Sequence, residues 1–200
     1  MTDPQTPPDP FTLLGLEPRP WLDPQTLENR FTECAAAVHP DQATDPLAKA
    51  QAAANSSALA EAYHLLKKTS SRLGLLLGKI SPSTSKVGAV PEPWGTLLMQ
   101  AGAWAARCDQ WLARQHEHRT SLEKAMTLAD GQRLLEELNH LRAHVDQLEA
   151  DRIAELKALD DAWPDANLDR LEALRQQFAF VEKARAQMQE RFLRLAEALL

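Results

Sequence analysis

The sequence predicts an all-α protein of two helical regions, and three observations carry that prediction. Leu and Ala are plentiful while Ile and Val are scarce, a mixture that favours helices because branching at Cβ costs rotamer freedom there. Apolar residues recur at intervals of three and four over most of the chain. The clearest linker in the chain, Ser81-Pro82-Ser83-Thr84-Ser85-Lys86-Val87-Gly88 and Pro91-Glu92-Pro93, divides it where the composition turns abruptly small, polar and helix-breaking. The expected division is a loose tail over residues 1–9, a helical-hairpin domain over 10–78, a linker over 79–93 and a helical bundle over 94–200.

At 200 residues and 22.3 kDa there is material for two small domains. A net charge of −6 and a pI near 5.5 give no overall attraction for phosphate backbones, so nucleic acid is not an expected partner. The start, MTDPQTPPDP, lacks the basic and apolar regions of a signal peptide, and no apolar run is long enough to span a bilayer. Cys34 and Cys108 lie far apart and form no paired metal-ligand spacing. A soluble protein of the reducing cytoplasm, without a membrane partner, is the expectation.

Residues 1–9 carry too little apolar surface to offset the entropy of ordering. Phe11-Thr12-Leu13-Leu14-Gly15-Leu16 reads as a short apolar helix ended by Gly15, followed by the connector Glu17-Pro18-Arg19-Pro20. Asp23-Pro24 has the form of an N-cap with proline at the first helical position, and Leu27, Phe31, Cys34 or Ala35, and Val38 follow at helical spacing. Pro40 ends that helix by pushing its predecessor out of the α region. Asp45-Pro46 repeats the signature and opens a second long helix through Ala48, Ala52, Ala53, Leu59, Ala62, Tyr63 and Leu66. The two helices form a hairpin with His39-Pro40-Asp41 at its tip. Ser70 to Leu77 adds a short helix stopped by Gly78.

Beyond Trp94 no proline occurs until Pro164. Leu97, Ala101, Trp104, Cys108, Trp111 and Gln115 trace a mostly apolar stripe, Asp130-Gly131 reads as a turn, and Leu134, Leu138, Leu141, Val145 and Leu148 continue the three-four pattern. After Trp163-Pro164-Asp165 the pattern returns in Leu171, Leu174, Phe178, Val181, Met188, Phe192 and Leu195. Short turns between long amphipathic helices predict an antiparallel three-helix bundle. A long coiled coil is the competing arrangement, but its exposed seams would leave the tryptophans of this half unburied.

His39-Pro40-Asp41 alone would pass as a turn, since proline and aspartate are common turn residues. Its setting says more. A short apolar helix, a long helix, His-Pro-Asp, a second long helix and a short fourth one is the plan of the J domain. Phe11-Thr12-Leu13-Leu14-Gly15-Leu16, the connector to Leu22-Asp23, and Arg72-Leu73-Gly74-Leu75-Leu76-Leu77 resemble the HscB family of iron-sulfur cluster co-chaperones. In the second half, Phe178-Ala179-Phe180-Val181-Glu182-Lys183-Ala184-Arg185 and the stretch from Ile153 to Trp163 resemble segments of that family's C-terminal three-helix bundle, more loosely.

The resemblance implies a co-chaperone that stimulates ATP hydrolysis by a DnaK/HscA-type heat-shock chaperone and delivers a client, an iron-sulfur scaffold protein of the IscU type. Such a protein needs no catalytic group and no cofactor of its own. Pro40 fixes the backbone so that His39 and Asp41 project together; Asp41 can meet a cation on the ATPase while the imidazole exchanges a hydrogen bond. Coupling then shifts the ATPase between conformations. Arg30 is the only Lys or Arg between Asp23 and Val38, against Glu28 and Glu33, and Gln42 stands where relatives have a basic residue. Six Lys and Arg against nine Asp and Glu over residues 1–78 give −3, so electrostatic steering towards an acidic chaperone surface is weak. For the client, the resemblance implies Leu98, Met99 and Phe180 as an apolar anchor, although Gly102, Ala103 and Ala106 replace the family's acidic rim. Bundle residues of these types also serve as ordinary core.

His140 and His144 share a helix face at i and i+4, and a fold-back at Asp130-Gly131 would bring His116 or His118 near them as a surface zinc or nickel site. Solvated histidines explain the same letters, and no resident metal is expected. Asp160-Asp161 has no acid-base partner, and no Gly-rich phosphate loop exists, so neither hydrolase nor nucleotide-binding chemistry is indicated. The alternative to the co-chaperone is a helical interaction or structural protein with a degenerate J domain.

Overall fold

The structure, a computed structural model, describes residues 8–38, 45–80, 94–115 and 120–199. Among the described residues there are seven helices and no strand: α1 (Pro10–Leu13), α2 (Pro24–Ala37), α3 (Pro46–Lys67), α4 (Thr69–Ile80), α5 (Trp94–Arg114), α6 (Ser121–Asp161) and α7 (Leu168–Ala198). They form two compact units, one of Met1–Ser85 with Glu155–Arg175, the other of Lys86–Ala154 with Gln176–Leu200.

In the first unit both expected helix starts are present. Asp23 accepts the Thr26 amide at 2.8 Å and its hydroxyl at 2.9 Å, while Asp45 accepts the amides of Leu47 and Ala48 at 3.0 and 2.9 Å. Each satisfies donors that a helix N-terminus leaves orphaned, with proline in the first turn where its missing N–H costs nothing. The Thr26 bonds hold the Asp23 carboxyl below the usual carboxylate range. Gly15 adopts φ 60°, a left-handed conformation that ends α1 and favours glycine. Phe11 and Leu14 from the α1 region, Leu27 from α2, Leu59, Ala62 and Leu66 from α3 and Leu76 from α4 make one buried cluster, against which Trp163 also packs. α4 does not stop at Gly78 as expected but runs to Ile80. Gly78 is exposed, so its cost of about 1 kcal/mol relative to alanine weakens the helix without breaking it.

The second unit is a three-helix bundle. Trp94, Leu97, Trp104 and Cys108 of α5 meet Leu134, Leu138 and Val145 of α6 and Val181, Ala184, Met188 and Leu195 of α7. Trp104 Nε1 donates to the Leu134 carbonyl at 2.9 Å and Trp111 Nε1 to the Thr127 carbonyl at 2.8 Å, which sets α5 and α6 antiparallel. Arg142 bonds Gln189 and Arg185 bonds Asp146, which sets α6 and α7 antiparallel in turn.

The expected turn at Asp130-Gly131 is absent: α6 passes through both residues without a break. Glycine is needed there for space. A Cβ at Gly131 would lie 2.7 Å from Cζ2 of Trp111 and 2.8 Å from Cδ2 of Leu199. Gly131→Ala should therefore lower the melting temperature, because overpacking against a pinned indole costs about 1–3 kcal/mol while alanine's helix propensity returns only about 1 kcal/mol. Gly78→Ala, with nothing within 4 Å of the added methyl, should raise it. Thermal melts of the two variants moving in the same direction would contradict this account of Gly131.

Candidate functional site

His39, Pro40 and Asp41 lie outside the described residues; the helices on either side of them are described. α2 and α3 are held side by side by the cluster above and by the Phe31 and Tyr63 rings, stacked with centroids 4.5 Å apart. α2 ends at Ala37 with Val38 as its C-cap, directly before the tripeptide, and the Asp45 cap opens α3 four residues after it. Arg30, the expected chaperone contact on α2, is partly engaged. Its Nη1 pairs with Glu33 at 2.9 Å and its Nη2 donates a long 3.4 Å bond to the Gly15 carbonyl. Both side chains of the pair are well exposed, so it contributes little to stability but offsets the one cation of α2.

A second constraint on this unit was not legible in the sequence. Asp160 at the end of α6 is buried and accepts bonds from Arg19 Nε at 3.1 Å and from the Trp21 amide at 3.0 Å, while Arg19 Nη2 donates to the Asp160 carbonyl at 3.0 Å. Lys157 Nζ lies 4.6 Å from the Trp21 ring centroid. Asp160 thus fastens the connector between α1 and α2, which gives it a partner and a structural role. The bond with Asp160 raises the Arg19 guanidinium pKa further. Buried Arg72 fastens the other side of the same connector: its Nε donates to the Pro20 carbonyl at 3.0 Å and its Nη1 to the Leu66 carbonyl at 2.7 Å. Leu66 is in the last turn of α3, where carbonyls lack helical partners, so the guanidinium caps that helix. These pairings join residues up to 141 apart in sequence, and no local spacing announces them.

In the bundle, the expected client residues differ in exposure. Met99 is 77% exposed, and Leu98 and Phe180 are half-buried. The Asp109 to Arg191 ion pair, 2.9 Å long and 82 residues apart, aligns α5 with α7 in parallel, and the same offset carried from Leu98 arrives at Phe180. Gly102, Ala103 and Ala106 are all exposed, so the two turns after Met99 carry no carboxylate, and the next one on α5, Asp109, is paired with Arg191. Cys108 is fully buried among Trp104 and its neighbours, and burial pushes its thiol up to about 11, far from a reactive thiolate. Cys34 packs half-buried against the first core.

The fold-back at Asp130-Gly131 that was to bring His116 or His118 near His140 and His144 is absent, because α6 is continuous there. With no fold-back at Asp130-Gly131, the residues of α5 travel antiparallel to α6 in the register of Trp104 with Leu134 and Trp111 with Thr127. That register places the end of α5 beside the first turns of α6, not beside His140 and His144, which are exposed. His116 and His118 lie outside the described residues. Among the described residues no group of three or more His, Cys, Asp or Glu is arranged to hold a metal ion. No described helix is long and apolar enough to cross a membrane.

No family model matches the sequence, and no curated relative matches it either. Solved structures do. The chaperone HscB from Vibrio cholerae superposes over 96% of this chain and 100% of its own, with a TM-score of 0.56 at 17% identity. The human co-chaperone protein HscB superposes over 94% of this chain and 83% of its own, with a TM-score of 0.54 at 15% identity. A helical hairpin unit followed by a three-helix bundle, matched from end to end at this level, gives the chain the fold of the HscB co-chaperones.

Proposed function

We propose that this chain is a J-domain co-chaperone. His39, Pro40 and Asp41 engage the ATPase of a DnaK/HscA-type chaperone and accelerate ATP hydrolysis on that partner, with Arg30 as the flanking cation. The bundle receives a client, an iron-sulfur scaffold of the IscU type, through Leu98, Met99 and Phe180. The stretch 81–93 between α4 and α5 links the two functions along the chain, and the protein acts in the cytoplasm. The chain itself contributes no catalytic group: bond cleavage belongs to the chaperone, and the tripeptide acts by shifting the chaperone's conformational equilibrium. The observation that carries this reading is the likeness of fold across 96% of the chain. The tripeptide between two helices that begin at the expected caps supports it.

The test is single-turnover ATP hydrolysis by the chaperone with the intact chain and with His39→Gln. For the client face, Met99→Glu and Phe180→Ala should each weaken scaffold binding in calorimetric titration at least tenfold, because exposed Met99 and half-buried Phe180 each lose apolar contact area. Unchanged affinity in both variants would move the client elsewhere on the bundle.

A second reading, a helical interaction protein whose J domain has lost its coupling, is favoured by the charge of α2. Its one cation is offset by Glu33, and Gln42 follows the tripeptide. Absence of any ATPase acceleration by the intact chain would select this reading.

A further inference from the structure

The groove between α5 and α6 around Trp111 has a chemistry that neither half of the co-chaperone reading uses. It is an open cleft of about 450 Å³. Arg107, Arg114 and Arg133 face it, against two carboxylates, Asp130 and Glu137. That leaves one surplus positive charge in a chain whose net charge is −6. The three arginines are not equivalent. Arg107 makes a two-pronged pair with Glu137, so both groups are committed. Arg133 pairs at 3.0 Å with Asp130 one turn away on the same helix, and the two side chains are 73% and 59% exposed, so water already screens the pair. Arg114, in the last turn of α5, has no hydrogen bond or ion pair among the described residues. Between them Trp111 is half-buried, with its Nε1 pinned to the Thr127 carbonyl.

We propose that this groove binds an acidic peptide segment of a partner protein, with carboxylates on Arg114 and Arg133 and an apolar side chain over the Trp111 ring. Guanidinium forks match carboxylates, and a rigid indole offers contact area at little entropic cost. A nucleic-acid strand fits less well, because Asp130 and Glu137 in the walls repel a continuous phosphate backbone. The partner approaches a face distinct from that of Leu98, Met99 and Phe180, which belongs to α5 and α7.

Fluorescence anisotropy on the full chain tests this with a fluorescein-labelled peptide of alternating glutamate and leucine. The same peptide with lysine for glutamate, and inorganic phosphate as competitor, serve as controls. The glutamate peptide should bind saturably and salt-sensitively. Arg114→Glu and Arg133→Glu should each weaken binding at least tenfold with unchanged circular dichroism, and Lys49→Glu on α3, of equal charge change, should leave it within twofold. No saturable binding, equal binding of the lysine peptide, or both groove variants within twofold of the parent would overturn the proposal. Displacement of the peptide by phosphate at equimolar concentration would also overturn it, in favour of a small-anion site.

Discussion

Replacing Trp104 by alanine should be among the most damaging single changes in the bundle, costing about 3–5 kcal/mol. The indole is fully buried at the centre of the three-helix core, so its removal leaves a cavity bounded by residues of α5, α6 and α7 that are themselves buried and cannot collapse freely. The lost hydrogen bond is the smaller part. The Leu134 carbonyl that Trp104 Nε1 reaches lies in the middle of α6 and keeps its helical partner, so no acceptor is orphaned. Trp104→Phe separates the two effects: it retains most of the apolar contact and forgoes the bond, for about 1 kcal/mol from the bond itself. Urea melts of the two variants check the ordering. A phenylalanine variant as unstable as the alanine variant would mean the hydrogen bond, not the packing, holds this helix pair.

Arg72→Met should cost about 2–4 kcal/mol in the first unit, although it exchanges a charge for an unbranched apolar chain. Burying a guanidinium is unfavourable in itself, and the swap relieves that term. Against it stand the Pro20 carbonyl in the connector and the Leu66 carbonyl at the end of α3, both of which accept from Arg72 and neither of which gains anything from methionine. Unmade bonds to groups already out of water outweigh the relief. Trp21, one residue from Pro20, reports the release of the connector: its fluorescence should respond before the global transition. Stability equal to or above that of the parent would show that the desolvation term dominates and that Arg72 is not what fastens the connector.

Much of this was legible in the sequence, and the reasons are local. Asp23-Pro24 and Asp45-Pro46 announce helix starts because the cap chemistry needs only neighbouring residues. Leu171, Leu174, Phe178, Val181, Met188 and Leu195 mark the buried face of α7 because helical periodicity is a local property as well. Asp130-Gly131 misled for a complementary reason. The pair has the letters of a turn, but the glycine answers to Trp111 and Leu199, whose proximity arises only once three helices have packed. Asp160 was invisible in the same way, since Arg19 and Trp21 reach it only in the folded unit. The cleft of Arg114, Arg133 and Trp111 depends on the register between α5 and α6, which arises only once the helices have packed.

For the candidate site, the tripeptide was the clearest signal in the chain, and the fold supplies the hairpin that such a motif requires. What the hairpin supplies sparingly is positive charge: near the tripeptide, among the described residues, exposed Lys49 in the first turn of α3 joins Arg30. Arg30 is shared with Glu33, and the surface of α2 also carries exposed Glu28. The association rate with an acidic chaperone should accordingly be slow and nearly insensitive to salt, since there is little long-range attraction to screen.

The most direct measurement is single-turnover hydrolysis of ATP bound to the organism's own DnaK/HscA-type chaperone, with the full chain titrated to saturation. The account predicts a saturable acceleration that His39→Gln removes while leaving the circular dichroism spectrum unchanged. No acceleration at any concentration, or the same acceleration by His39→Gln, would contradict it.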